Sequence, residues 1–362
     1  MRQKSCIAMK TFLKCCTLIL LIASCQQKKP EIIVAQEEVS LAPNLSALGA
    51  EKLSGYHFFE GELKNLQPAE GVISYSLNSP LFSDYAFKKR FVKIPKGKKA
   101  SYHATEVLNF PEGTVLIKNF YYPSDFRKPE EQKRILETRL LILENGNWKA
   151  LPYIWNDEQT EAYLEVAGKN IEVEWLHFNG EKRKVNYSVP NVNQCKGCHL
   201  RGDQLSPIGP SARQLNSHDD SSNQLIAWQR ANVLEGLPDH KSIPLLASYE
   251  NKNESIDERA RAWLEINCAH CHRADGPAKT SGLHLLASVN ASAQLGIGKA
   301  PVAAGKGSGG RLFGIVPGKP EESILQYRIE STHPGIMMPE LGRKLVHEEG
   351  VELVRQWISE MK

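Results

Sequence analysis

Methionine is nearly missing from this 362-residue chain: there are five, and none lies between Met9 and Met337. A thioether ligand can therefore come only from the C-terminal end. Cysteine is missing as a structural staple. Of eight cysteines, Cys6, Cys15, Cys16 and Cys25 lie at the extreme N-terminus. The other four form two C-x-x-C pairs, so none is left for a disulfide between domains. A long hydrophobic run is also lacking. Leu18–Ser24 is the most apolar stretch near the start, far short of the ~20 residues that span a bilayer. The formal net charge is only +4. Residues 1–24 hold Arg2, Lys4, Lys10 and Lys14 and no acid, so the remainder is close to neutral. That excludes nucleic-acid binding by charge.

What is present at the N-terminus is a basic segment, a short apolar core and small residues, the pattern of a signal peptide over 1–24. Ile22-Ala23-Ser24-Cys25 resembles a bacterial lipobox. The resemblance implies cleavage before Cys25 and a lipid on its sulfur, which would anchor the protein in the cell envelope, facing the periplasm. Gln26 slightly favours the outer membrane. Residues 25–50 are polar, contain Pro30 and Pro43, and read as a tether.

Residues 51–200 read as a β-rich domain. Val72–Tyr75, Arg90–Ile94 and Thr114–Tyr121 are rich in β-branched and aromatic residues. Asn145-Gly146 and Asn179-Gly180 suit tight hairpin turns. Ile171, Val173, Trp175 and His177 alternate with Glu172 and Glu174, as on a half-buried strand. Lys88, Lys89, Arg90, Lys93, Lys96, Lys98 and Lys99 crowd together, as lysines do on a solvated sheet edge; steering of an acidic partner is the other use of such a cluster. Residues 201–254 form a connecting segment with a helix expected from about Asn223 to Leu234. Ser255-Ile256-Asp257-Glu258 fits a capping box that opens a further helix. Residues 279–310 are small and glycine-rich, as in a loop. A last helix is expected from Glu348 to Glu360, with Val351, Val354 and Ile358 on one face.

The chemistry sits in Cys195-Lys196-Gly197-Cys198-His199 and Cys268-Ala269-His270-Cys271-His272. C-x-x-C-H reads as covalent haem attachment. Residues three and four apart share a helix face, so both thiols can reach the vinyl groups of one porphyrin. The adjoining histidine then binds iron. Two covalently bound haem c groups are expected, held by Cys195, Cys198, Cys268 and Cys271, with His199 and His272 as metal ligands. A shared zinc site is disfavoured by the long separation of the pairs and by the histidine that each carries. Disulfide-exchange motifs are disfavoured because neither pair lies in a βαβ pattern.

Residues 255–362 resemble a class I cytochrome c domain. That resemblance implies a methionine as sixth ligand of the second iron; Met338, before Pro339, is the choice and Met337 the runner-up. Asp275-Gly276-Pro277 is similar to the family segment whose proline carbonyl holds the proximal histidine. Phe110–Lys118 resembles a strand entry in the cytochrome c-prime-beta superfamily, whose haem is typically five-coordinate. As a whole the chain resembles dihaem c-type cytochromes with a β-rich N-terminal half, on Leu81–Ala86, Glu137–Leu141 and Pro207–Pro210. The expected fold class is α+β and multidomain: an antiparallel β-rich domain, then an all-α class I cytochrome c domain over 255–362.

No methionine is available to the first haem. His103, His177, His218 and His240 are the candidate sixth ligands, and another side chain or an open position are the alternatives. The main functional expectation is single-electron transfer between redox proteins of the cell envelope, more an electron carrier than a catalyst. The alternative is a dihaem enzyme, peroxidase-like or acting on a small nitrogen compound, with an open first haem.

Overall fold

Six strands, each antiparallel to the next in sequence, make the framework: β1 (Val72–Tyr75), β2 (Phe87–Lys93), β3 (Val115–Pro123), β4 (Lys133–Glu144), β5 (Asn147–Trp155) and β6 (Ala162–Leu164). The computed structural model describes residues 48–362. The expected signal segment, Cys25 and most of the tether lie outside the described residues. Between β4 and β5, Asn145 and Gly146 take φ angles of 54° and 72°, as a two-residue type I′ hairpin turn demands. The Glu112 carboxylate accepts both of their backbone N–H groups. A separate hairpin follows, β7 (Lys169–Leu176) and β8 (Lys182–Val189).

Side chains alternate across the sheet, so each strand supplies two cores. On one face Phe91, Ile117, Leu140 and Tyr153 pack on Leu53, Phe58 and Leu66 from the preceding segment. On the other, Val92 and Leu116 meet Leu215, Leu225 and Trp228. Farther along that second face, Phe120, Tyr122 and Ile154 meet Val173, Trp175 and Tyr187 of the hairpin. Full burial of each such side chain contributes about 1.5–3 kcal/mol.

Among the described residues, seven short α-helices surround this framework: α1 (Val192–His199), α2 (Ala212–Leu215), α3 (Gln224–Arg230), α4 (Ile256–Leu264), α5 (Ser292–Leu295), α6 (Ile324–Glu330) and α7 (Glu348–Glu360). The capping box at α4 forms as expected. The Ser255 hydroxyl accepts the Glu258 N–H, and the Glu258 carboxylate accepts the Ser255 N–H. Asn191 and Gln194 make a second capping box at α1. None of the helices among the described residues is long and apolar enough to cross a membrane.

Two expectations are corrected. An all-α class I cytochrome c domain over 255–362 is not present, and the multidomain division goes with it. Within that stretch only α4 and α7 exceed seven residues. Residues 279–310, small and glycine-rich, form only isolated turns of three or four helical residues. Although α4 and α7 do pack together through Trp263, Leu264, Val354 and Ile358, the segment is welded to the β-rich part. The Phe82 N–H donates to Asn267 Oδ1 at 2.9 Å, and one Asp84 carboxylate oxygen accepts the Lys344 and Leu345 N–H groups. The described residues belong to one compact, β-rich unit. The second correction concerns the lysine-rich stretch. Strand β2 is not an edge but lies between β1 and β3, and Arg90 points inward.

Candidate functional site

Helix α1 carries the first C-x-x-C-H, and its closing residue, His199, faces a cavity of about 320 Å³ between the second face of the sheet and the C-terminal helices. That volume falls in the range of small-molecule and cofactor sites. The cavity is bordered by Cys195, Cys198 and His199 of the first motif, by His270 of the second, and by Met338.

The His199 ring is set by its surroundings. Its Nδ1 lies 2.9 Å from the Ser206 carbonyl oxygen. A carbonyl can only accept, so Nδ1 carries the proton and the Nε2 lone pair is free. Burial lowers the imidazole pKa to about 4, so the ring is neutral near pH 7, the form that binds a metal. His272 is arranged in parallel. Its Nδ1 is 3.0 Å from Ser281 Oγ, whose own proton goes to the Ala278 carbonyl at 2.7 Å. Here too Nδ1 donates, Nε2 is left free, and burial lowers the pKa to about 4. The hydroxyl of Ser281 therefore takes the place that resemblance gave to the Pro277 carbonyl.

The second motif follows α4 through a π-helical turn, Glu265–Ala269. Such local widening often occurs at functional positions. All four thiols are free. Cys268 is 5% exposed, and burial pushes its thiol up to about 12. Burial also raises the Cys195 thiol.

The two motifs, far apart in sequence, abut. Cys271 Sγ is 3.5 Å from the Gly197 carbonyl oxygen. The Cys198 and Cys271 thiols act on one another, which holds Cys198 below the ordinary thiol range and Cys271 above it. An ionic clamp ties the motifs together. Arg201, just past the first, and Arg273, next to His272, each pair with both Glu106 and Asp275 at 2.6–2.7 Å. Burial works against charge on both acids, but the two guanidiniums outweigh it and hold both carboxyls below their usual range.

Met338 borders the cavity, whereas Met337 is buried beside it. The four candidate histidines for the first iron are elsewhere. His177 is buried in the hairpin core, where Trp175 Nε1 donates to its Nδ1 at 3.3 Å. His103 Nδ1 accepts the Glu106 N–H, His240 faces Asp220, and His218 is exposed. Sequence reasoning missed His347, Lys118 and Arg139 on the cavity wall, and it missed His270 as anything but a spacer. His347 is ill placed to bind iron through Nε2, because its Nδ1 accepts the Trp263 indole N–H at 2.9 Å and the proton must sit on Nε2. Among the described residues no three His, Cys, Asp or Glu side chains converge as a bare metal site.

Do these residues suit a covalently held haem? The donor set does: paired thiols on one turn, a neutral imidazole with a free Nε2, and an apolar cavity beside it. One orphaned group fits as well. Arg90 Nη2 is buried at the cavity wall with no partner, as expected if an anionic group belongs there. The chain matches no protein family, no curated protein and no solved structure.

Proposed function

We propose that the chain is a dihaem c-type cytochrome that passes single electrons between redox proteins of the cell envelope, held to a membrane by a lipid on Cys25. The observation that carries this reading is the shared arrangement of His199 and His272: each is neutral, donates from Nδ1, and follows a pair of free thiols. Cys195 with Cys198, and Cys268 with Cys271, would hold the two groups. Each haem supplies an iron that changes charge by one electron. The chain's own residues orient the ligands and keep water away. Ser206 and Ser281 fix the imidazole tautomers, and hydrogen bonds of that kind raise ligand basicity. Met338 is proposed as the sixth ligand of the second iron. The test is intact mass and haem absorbance of native material from a host able to mature cytochromes. Two haems per chain are expected, and none would overturn the reading.

A second reading is favoured by one observation: His103, His177, His218 and His240 do not border the cavity. An iron on His199 with an open sixth position would turn over a small substrate such as a peroxide or a small nitrogen compound. Carbon monoxide binding by one haem of the reduced protein supports this enzyme reading, and no uptake supports the carrier.

A further inference from the structure

Three basic side chains stand in a row under the cavity. Strand register puts Arg90 of β2 directly opposite Lys118 of β3, and Lys118 directly opposite Arg139 of β4. All three are on the second face of the sheet and line the cavity. Like charges directly opposed across strands are destabilising, and more so where water is excluded. Lys88 adds a fourth basic side chain two residues along β2, with Nζ 2.9 Å from the Leu81 carbonyl.

The acids facing this row leave Arg90 and Lys118 without a counter-charge, because Glu137 pairs with Arg139 alone. Glu137, fully buried, is bound by both Arg139 and the Tyr187 hydroxyl. Asp84 is occupied by the Lys344 and Leu345 N–H groups. Neither Arg90 nor Lys118 makes an ion pair among the described residues, and Arg90 Nη2, on a side chain 7% exposed, has no partner. Lys118 Nζ lies 4.7 Å over the Phe120 ring, which gives it only a weak partner. Arg90 is buried and Lys118 half-buried, and charge so far removed from water persists when something of opposite sign completes it.

We propose that Arg90, Lys118 and Arg139 form an internal binding site for a carboxylate or small oxyanion. A guanidinium fork beside an ammonium suits the two oxygens of a carboxylate. The anion has two possible sources. It is a carboxylate arm of the haem tethered at Cys195 and Cys198, in which case the assignment rests on the proposed function. Otherwise it is a free small anion that enters the cavity.

The experiment uses full-length haem-loaded protein, with formate as the free-carboxylate probe. Haem stoichiometry is first fixed by mass, because a haem-free chain defeats the functional reading and not the site. Wild type, Lys118→Met and Lys118→Arg are then compared. If the haem supplies the carboxylate, Lys118→Met lowers one of the two reduction potentials, Lys118→Arg restores it, and formate leaves the wild-type spectrum unchanged. If the anion is free, formate gives a saturable Soret shift in wild type that is weakened at least tenfold in Lys118→Met and recovered in Lys118→Arg. Folded Lys118→Met with both potentials and the formate response unaltered would overturn the site. Should Lys118→Met not fold, Arg90→Gln is read in the same way. Should the wild type carry no haem, a formate-dependent rise in Tm lost in Arg90→Gln supports the site, and no rise overturns it.

Discussion

Cys271 Sγ lies 3.5 Å from the carbonyl oxygen of Gly197, so the thiol that ends one C-x-x-C pair rests on the spacer glycine of the other. If both pairs hold haem, their irons are neighbours. Fully oxidised protein should show ferric resonance signals broadened by mutual magnetic interaction. Two sharp, independent signals that account for both irons would contradict this prediction.

Met338→Ala should abolish the weak methionine-to-ferric charge-transfer band of the oxidised protein and lower the potential of one haem, because thioether sulfur favours ferrous iron. Met337→Ala should leave the band in place. Persistence of the band in Met338→Ala assigns the ligand elsewhere.

Ser281→Ala removes the acceptor of the His272 Nδ1–H. A less basic imidazole stabilises ferric iron less, so one potential should rise. A tenfold change in the one-electron equilibrium corresponds to about 59 mV, and a rise up to that size is expected in a redox titration. A fall in potential would mean that Ser281 does not tune this ligand.

The clamp around Glu106 makes stability depend on acid. Its carboxyl titrates below the ordinary value in the folded chain, because Arg273 and Arg201 outweigh the opposing effect of burial. The contribution is therefore complete above the unfolded pKa of about 4.3 and is lost as pH falls through the lower folded value. Glu106 is partly exposed, so Glu106→Gln should cost only about 1–2 kcal/mol near neutral pH. Urea midpoints of wild type and variant should converge as pH drops from about 7 to about 3. A gap that is independent of pH would show that the charge is not what matters.

Glu137→Gln takes away the fully buried partner of the half-buried Arg139 guanidinium. Breaking a fully buried pair costs about 3–5 kcal/mol; with Arg139 partly open to the cavity the cost should be about 1–3 kcal/mol, which denaturant unfolding reads directly. A loss below about 1 kcal/mol would mean that another anion already balances Arg139.

How far the sequence reveals this molecule depends on the range of each signal. The Ser255–Glu258 capping box, the Asn145-Gly146 turn and the final helix Glu348–Glu360 are local patterns, and each forms as read. The helix expected from Asn223 to Leu234 stops at Arg230, because Asn232 turns to a positive φ of 60°. Assembly is another matter. Motif spacing and helical periodicity over 255–362 say nothing of how the helices pack, and the segment is tied to the β-rich part through Phe82 and Asp84. Arg90 reads as part of a solvated lysine run because its inward direction depends on strand pairing. Arg139 and Lys118 look unrelated until register sets them side by side. Glu106 carries no pattern at all, and its role appears only once Arg201 and Arg273 meet.

Each strand of the main sheet pairs with its immediate successor. Contacts so close along the chain close quickly, and they need neither cysteine pair to be in place. The floor of the cavity, with its inward basic side chains, can thus assemble from residues 72–164 alone. The segment bearing His199 then arrives at a surface that is already formed, and the one bearing His272 comes last to roof it over.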